Sequence, residues 1–357
     1  MSGFAVRTDS IGRFPLASFD FVLWKSAHVD VAVIGLGLIG GSVLRALAAR
    51  GHRVLGYDAD PATRATARTA AAQASINKRW QVTASLGDAI RSVDLTVVAV
   101  PLPAVGAVFD EIASAGYVGV VTDVTSVKGP VQELADDRLR TGGQALATFI
   151  PGHPMAGRET SGFTAADPDL FEGSAWVLCV REEDTSLRDW VMLAALITDL
   201  GARVVPATVH EHDAAVASIS HVPHLVATAL AAHAASDPLA GTLGAGSFRD
   251  GTRVAASRPE LTAAMCGGNA EAVRVALDAV LAELSAARSI LDGSDPIAAL
   301  RPWLEPGHTA RRAWPPTAGE TTDLPARADV LLRLGRVGGW ITAVAPDRRT
   351  VTAVRPA

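Results

Sequence analysis

The sequence predicts an α/β first half, an all-α second half and a short β-rich tail. Three observations carry that expectation. Apolar runs alternate with helical patterns as far as Pro206, an Ala- and Leu-rich stretch with little strand propensity runs from Thr208 to about Leu291, and strand-like runs return after residue 326. The chain has 357 residues, and at roughly 150 residues per domain that allows two domains and a remainder. The expected boundaries are an N-terminal extension over 1–29, an α/β domain over 30–206, a helical domain over 207–300, a Pro-rich linker over 301–325 and a β-rich tail over 326–357.

The α/β half begins with an apolar strand at 31–34, a glycine turn and a helix at 38–50 that Gly51 closes. A second strand, 53–57, ends at Asp58. Further apolar runs at 95–100 and 118–124 stop at Pro101 and near Ser126, and 175–180, 187–200 and 203–205 read as strand, helix and strand. Strands alternating with helices argue for a parallel, doubly wound sheet. In the second half, Thr208 is suited to cap a helix, with Glu211 three residues later completing a capping box. Pro302, Pro306, Pro315, Pro316 and Pro325 mark the linker. Beyond it, 328–336, 339–345 and 350–354 are expected as short strands, the last two joined by a turn at 346–349. So short a tail holds no large core of its own and is expected to dock on the helical part or on a partner subunit.

Composition narrows the function. Hydrophobic residues at 49% and charged residues at 19% suit a packed core and exclude a disordered chain. The net charge is −5 and like charges form no long blocks, so neither nucleic acid nor a membrane surface is an expected partner. Arg7, Asp9, Arg13, Asp20 and Lys25 interrupt the first apolar stretches, unlike a secretory signal. Cys179 and Cys266 are too few for a disulfide framework and lack metal-ligand spacing, which points to a reduced, cytoplasmic setting. The longest uncharged stretch, 214–236, could span a bilayer by length. It carries His221, Pro223, His224 and His233, and so reads as a buried helix near a site.

The segment Gly35-Leu36-Gly37-Leu38-Ile39-Gly40 follows a strand and opens a helix. Its first glycine permits the tight turn, the second lets a pyrophosphate approach the backbone, and the third allows helix to pack on strand. Free N–H groups and the dipole at the helix start favour the pyrophosphate. Asp58 stands where a carboxylate accepts from the adenosine ribose, and Val100 and Pro101, at the end of a neighbouring strand, complete the expected cofactor set. A carboxylate repels a 2′-phosphate and Asp60 adds a second charge, so NAD is expected over NADP, with Arg64 arguing the other way.

Three further segments place polar residues where a core would not want them. Ser126 and Lys128 follow the 118–124 run at the carboxyl end of a sheet strand, where ligands of such sheets bind and where both would face the nicotinamide end. The bland alternative is a loop with a helix cap. His153 sits in Pro151-Gly152-His153-Pro154, a rigid non-helical turn in which an imidazole can take a proton near neutral pH, or serve only as a structural histidine. His221 and His224 share one helix face, and Arg249 and Arg253 interrupt a small-residue stretch. Arginine suits bidentate capture of carboxylates, although either could simply pair with Asp250. Two histidines without a carboxylate at ligand spacing give no metal site.

Together these segments resemble the prephenate dehydrogenase family over about 31–291. The most specific piece is Gly152-His153-Pro154-Met155-Ala156-Gly157, followed by Glu159, Ser161 and Gly162. The resemblance implies a Rossmann-like domain followed by a helical domain that forms a homodimer, and NAD-dependent oxidative decarboxylation of prephenate to 4-hydroxyphenylpyruvate. By position it implies His153 as the base for the ring hydroxyl, Ser126 as the serine that helps hold it, Arg253 as a carboxylate ligand and His224 as a pocket histidine. Arg158 is our own candidate for a second cation toward the dianion. A β-hydroxyacid dehydrogenase would need a lysine on its interdomain helix, and Lys25, Lys78 and Lys128 all precede that region. Arogenate or an amino-substituted prephenate as substrate, and a non-catalytic NAD-binding regulator, stay open as alternatives.

Overall fold

In the computed structural model of the chain the described residues are 28–141 and 144–357. The expected N-terminal extension, 1–29, lies outside them except for His28 and Val29. The strands in chain order are β1 (Asp30–Ile34), β2 (Arg53–Tyr57), β3 (Gln81–Val82), β4 (Leu95–Val98), β5 (Val120–Asp123), β6 (Arg140–Thr141), β7 (Gln144–Ala145), β8 (Thr148–Ile150), β9 (Gly152–Pro154), β10 (Ala175–Cys179), β11 (Arg203–Ala207), β12 (Ala318–Pro325), β13 (Trp340–Val344) and β14 (Thr350–Pro356). A six-stranded sheet has the order β3-β2-β1-β4-β5-β8, and its pairings are all parallel. Strand β1 shows why: Val31, Ala32, Val33 and Ile34 are all buried, the continuous apolar run of a strand covered on both faces.

Ala32 and Ile34 face a core made with Val105, Phe109, Ile112 and Val131 from the helices Leu102–Ser114 and Gly129–Arg138. Val31 and Val33 face the larger core, which holds Leu44 and Leu47 of the helix Leu38–Ala49 and Trp190 and Leu193 of the helix Leu187–Asp199. A second six-stranded sheet, β12-β14-β13-β11-β10-β9, closes that core. The chain crosses from one sheet to the other between β8 and β9, at Pro151.

The tail departs from expectation in three ways. Residues Ala328–Arg336 form a helix, because Leu331, Leu332 and Leu334 are buried while Arg333 and Arg336 are exposed, a helical stripe and not a strand's alternation. The linker over 301–325 is mostly structured: Pro296–Arg312 is a helix with Pro302 and Pro306 inside it, and β12 follows. That helix is almost wholly exposed, so water can take up the Ala298 and Pro302 carbonyls that lose their N–H partners. Finally, the tail is built mainly onto the second sheet and the main core, and it reaches the helical half where Arg336 bonds Glu211. Strand β13 pairs with β11, and Leu331, Leu332, Ile341, Val351 and Ala353 belong to the main core.

The helical half runs from Val209–Val216 and Val222–Ala234, joined by a π-helical turn Ala217–His221, through the long helices Ala270–Leu291 and Pro296–Arg312. Its own core is small, built on Ala217, Val222 and Val273.

Candidate active site

The glycine loop is shaped as its composition demands. Gly35 has φ +95°, a left-handed conformation that suits glycine, and a Cβ on Gly40 would lie 1.9 Å from the Gly35 carbonyl oxygen. A Cβ on Gly37 would meet nothing within 4 Å, so the backbone there is open to a ligand. No side chain caps the helix Leu38–Ala49, which leaves its first N–H groups available to an anion. Leu38 and Ile39 in its first turn are half-buried, as is Val100, while Pro101 is exposed. Asp58 accepts from the Leu36 amide at 2.7 Å and the Asp60 amide at 2.8 Å, so this carboxylate also holds the loop. Asp60 caps the helix Pro61–Gln73, and Arg64 donates to the Asp58 and Ala59 carbonyls. These residues fit a dinucleotide.

At the carboxyl end of β5 the chain turns through Thr125, Ser126 and Lys128 into the helix Gly129–Arg138. Lys128 is fully buried beside Asp123, and its ammonium donates to Asp123, to Thr125 Oγ1 at 3.1 Å and to the Gly152 carbonyl at 2.7 Å. All three of its N–H donors are therefore used. The expectation that Lys128 binds substrate is corrected: it is a buried strut between β5 and β9. The Gly152 amide also donates to Asp123, at 3.2 Å. Together these bonds pin the crossover between the two sheets.

His153 stands on that crossover. In β9 it lies opposite Val177, and its Nδ1 is 2.9 Å from His212 Nε2. His212 Nδ1 is in turn 2.7 Å from Asp213 Oδ1. The direction of these bonds follows from the carboxylate. Burial by itself would raise the Asp213 carboxyl, but the His212 ring and the Gly129 and Lys128 amides outweigh it and hold the group below the usual range. An ionised Asp213 accepts from His212 Nδ1–H, His212 Nε2 then carries the lone pair, and His153 Nδ1–H donates to it. His153 Nε2 is left unprotonated. Burial, with His212, Lys128 and His221 nearby, holds the His153 imidazole well below its ordinary value, so it is neutral at physiological pH.

The uncharged stretch 214–236, expected as a buried helix, is largely exposed in the single chain, and its one buried face supplies the facing wall. His221 is fully buried at the π-turn; Asn269 Nδ2 donates to its Nδ1 at 3.2 Å, and its Nε2 is buried with no hydrogen-bond partner among the described residues. Burial pushes its imidazole down to about 4. His224 is half-buried, with Nδ1 2.9 Å from the Ser220 carbonyl and Nε2 3.4 Å from Ser257 Oγ. Arg253 donates to Glu159 at 3.1 Å and thereby joins the loop after β9 to the helical half. Ser126 is half-buried in the loop two residues before Lys128 and has no hydrogen-bond partner among the described residues.

Arg158 lies exposed in the loop after β9. Its guanidinium is 2.5 Å from Asp167, whose amide donates to Ser42 Oγ on the glycine-loop helix. In the free protein its charge is paired with Asp167. Sequence reasoning also passed over His212, Asp213, Asp123 and Asn269. The available signal was the adjacent pair His212-Asp213 directly after a capping box, just ahead of the uncharged stretch. The box itself is present, with both reciprocal bonds between Thr208 and Glu211.

Comparison with known proteins identifies the family. The prephenate dehydrogenase nucleotide-binding domain matches residues 43–206, and the prephenate dehydrogenase dimerization domain matches residues 208–304. A cyclohexadienyl dehydrogenase from Zymomonas mobilis is 32% identical over 274 residues, covering 74% of this chain and 89% of that protein. A prephenate dehydrogenase from Bacillus subtilis is 30% identical over 273 residues, covering 74% and 71%. Among solved structures, a candidate prephenate dehydrogenase from Corynebacterium glutamicum superposes with a TM-score of 0.72 at 33% identity, covering 81% of this chain and 90% of that one. With an open glycine loop on one side of the β8–β9 crossover and a neutral imidazole held on it, the chain belongs to the prephenate dehydrogenase family.

Proposed function

We propose that this chain oxidises and decarboxylates prephenate to 4-hydroxyphenylpyruvate with NAD, and that His153 is its base. The observation that carries the reading is the Asp213–His212–His153 series, because it leaves a lone pair on His153 Nε2 of a neutral, half-buried imidazole. NAD, when bound, supplies the hydride acceptor. Gly35, Gly37 and Gly40, with the free N–H groups of the following helix, would hold its pyrophosphate, and Asp58 its ribose.

The residues of the chain supply positioning and one proton transfer. His153 Nε2 takes the proton of the ring hydroxyl, and hydride leaves the carbon that bears it. The ring carboxylate departs as carbon dioxide, and the electron pair of the broken bond makes the ring aromatic. Aromatisation drives the step, so the protein contributes mainly orientation and one base. Arg253 binds a substrate carboxylate, with Glu159 as its counter-ion in the free protein. Ser126 hydrogen-bonds the reacting hydroxyl, and His224 lines the pocket. The protein acts in the cytoplasm as a homodimer formed through its helical half.

The test is NADH formation followed by absorbance, with prephenate and arogenate offered separately, each with NAD and with NADP. Turnover of prephenate with NAD is expected. Turnover of arogenate alone would keep the chemistry and change the substrate. Binding of NAD without turnover of either would overturn the reading in favour of a substrate with an altered ring substituent or of a regulator.

A further inference from the structure

We propose that Arg336, in the C-terminal segment, is a positioning residue for the Asp213–His212–His153 series. This segment lies beyond residue 304, where the dimerization-domain match ends, yet three of its contacts converge where β11 passes into the helix Val209–Val216. Strand β13 pairs with β11 through Ile341 and Val204. Gly335 presses on the Pro206 carbonyl so closely that a Cβ there would lie 1.8 Å from its oxygen. Arg336 Nε donates to Glu211 Oε1 at 2.6 Å.

Glu211 is thereby held from both sides. Its other oxygen, Oε2, accepts from the Thr208 amide and the Thr208 hydroxyl, each at 2.9 Å. His212 and Asp213 are the next two residues. A helix's first turn lacks intrahelical partners for its N–H groups and is held by its cap and by tertiary contacts. Clamping Glu211 therefore sets the rotation of the turn that aims His212 at His153. That aim has little tolerance, since a hydrogen bond near 2.9 Å weakens steeply as its angle opens. The segment that lies outside the family matches is in this way part of the site's support. Arg336 itself is exposed, so its replacement leaves no hole in the core.

The inference rests on His153 as the base, so the experiment reads the imidazoles as well as turnover. Arg336→Ala, Arg336→Lys and Glu211→Gln would be compared with the native protein by nitrogen NMR of the histidine side chains across pH, and by kcat and KM with prephenate and NAD. In Arg336→Ala the His153 and His212 signals should move, and the acid limb of the kcat profile should shift. There kcat should fall about 3- to 30-fold, as for coupling through a packed contact, while KM for NAD holds. Arg336→Lys should recover part of the loss. Native imidazole spectra with kcat within about twofold would overturn the proposal. Should Arg336→Ala fail to fold, Glu211→Gln decides by the same criteria, because it keeps an oxygen for Thr208 and removes the charge that holds Arg336. Altered imidazole spectra in a protein that turns over neither prephenate nor arogenate would support the positioning role and sink the dehydrogenase reading.

Discussion

At the scale of single residues, the site depends on where protons sit. His153→Asn removes the lone pair and should lower kcat by about 10²–10⁴, with NAD affinity kept, as for loss of a general base. Asp213→Asn tests the chain behind it. An amide at that position can donate to His212 Nδ1, which reverses the tautomer and leaves His153 without its acceptor, so kcat should fall by about 10² or more. Steady-state turnover together with a fluorescence titration of NAD separates the two effects. The pH dependence follows from the same burial. His52, His153, His212 and His221 all lie below the ordinary imidazole value of 6.5, each with burial as the leading cause. Above that value neither the folded nor the unfolded chain binds these protons. As pH falls below it, the unfolded chain takes up protons that the fold refuses, so stability is lost from about pH 6.5 toward the value near 4 of His221. The melting temperature should therefore drop between pH 7 and 5, while kcat keeps its base available below pH 6.5. A melting temperature flat over that range would show that these rings are not held neutral.

At the scale of elements, the decisive one is the helix Ala328–Arg336. Leu331, Leu332 and Leu334 are fully buried and share a core with Leu178, Trp190 and Val204. Removing such a side chain leaves a cavity in a packed layer, so Leu331→Ala should destabilise the whole protein by about 2–5 kcal/mol. Urea unfolding checks this. A transition confined to a small early step, with the main midpoint unmoved, would mean that the tail folds apart from the rest. The nearby polar strut makes the same point by charge. Lys128 and Asp123 are both fully buried, and such a pair is tolerated because each charge meets the other and further hydrogen bonds complete both.

At the scale of the molecule, the helical half is unfinished as a single chain. Leu239, Leu243, Leu281, Leu284, Leu291 and Ile297 are exposed, Ile297 at 85%, around a small core built on Ala217, Val222 and Val273. A soluble monomer seldom leaves so many apolar side chains in water on one domain, and the family's domain here is the dimerization domain. Sedimentation should give twice the chain mass, and Leu284→Asp should shift the protein toward the single-chain mass. Monomeric behaviour of the native chain at micromolar concentration would contradict a homodimer.

The sequence by itself determined what local chemistry controls. The parallel strands follow from runs such as Val31 to Ile34, buried on both faces. The glycine turn follows from a position that only glycine fills at ease, and the start of the helix Val209–Val216 from Thr208 and Glu211 three residues apart. The His153 segment stood out because prolines and a glycine surround the imidazole, although the structure makes it the middle of strand β9 and not the expected turn. Only the tertiary structure decided what depends on distant partners. Lys128 looked like a ligand until the Gly152 carbonyl and Asp123 took its donors. Arg158 was drawn to Asp167, and the 328–336 segment became a helix because the main core offered its leucines one face. His212 and Asp213 gained their part in the site because the crossover at Pro151 brings His153 to them from 59 residues away, a meeting that no local pattern encodes.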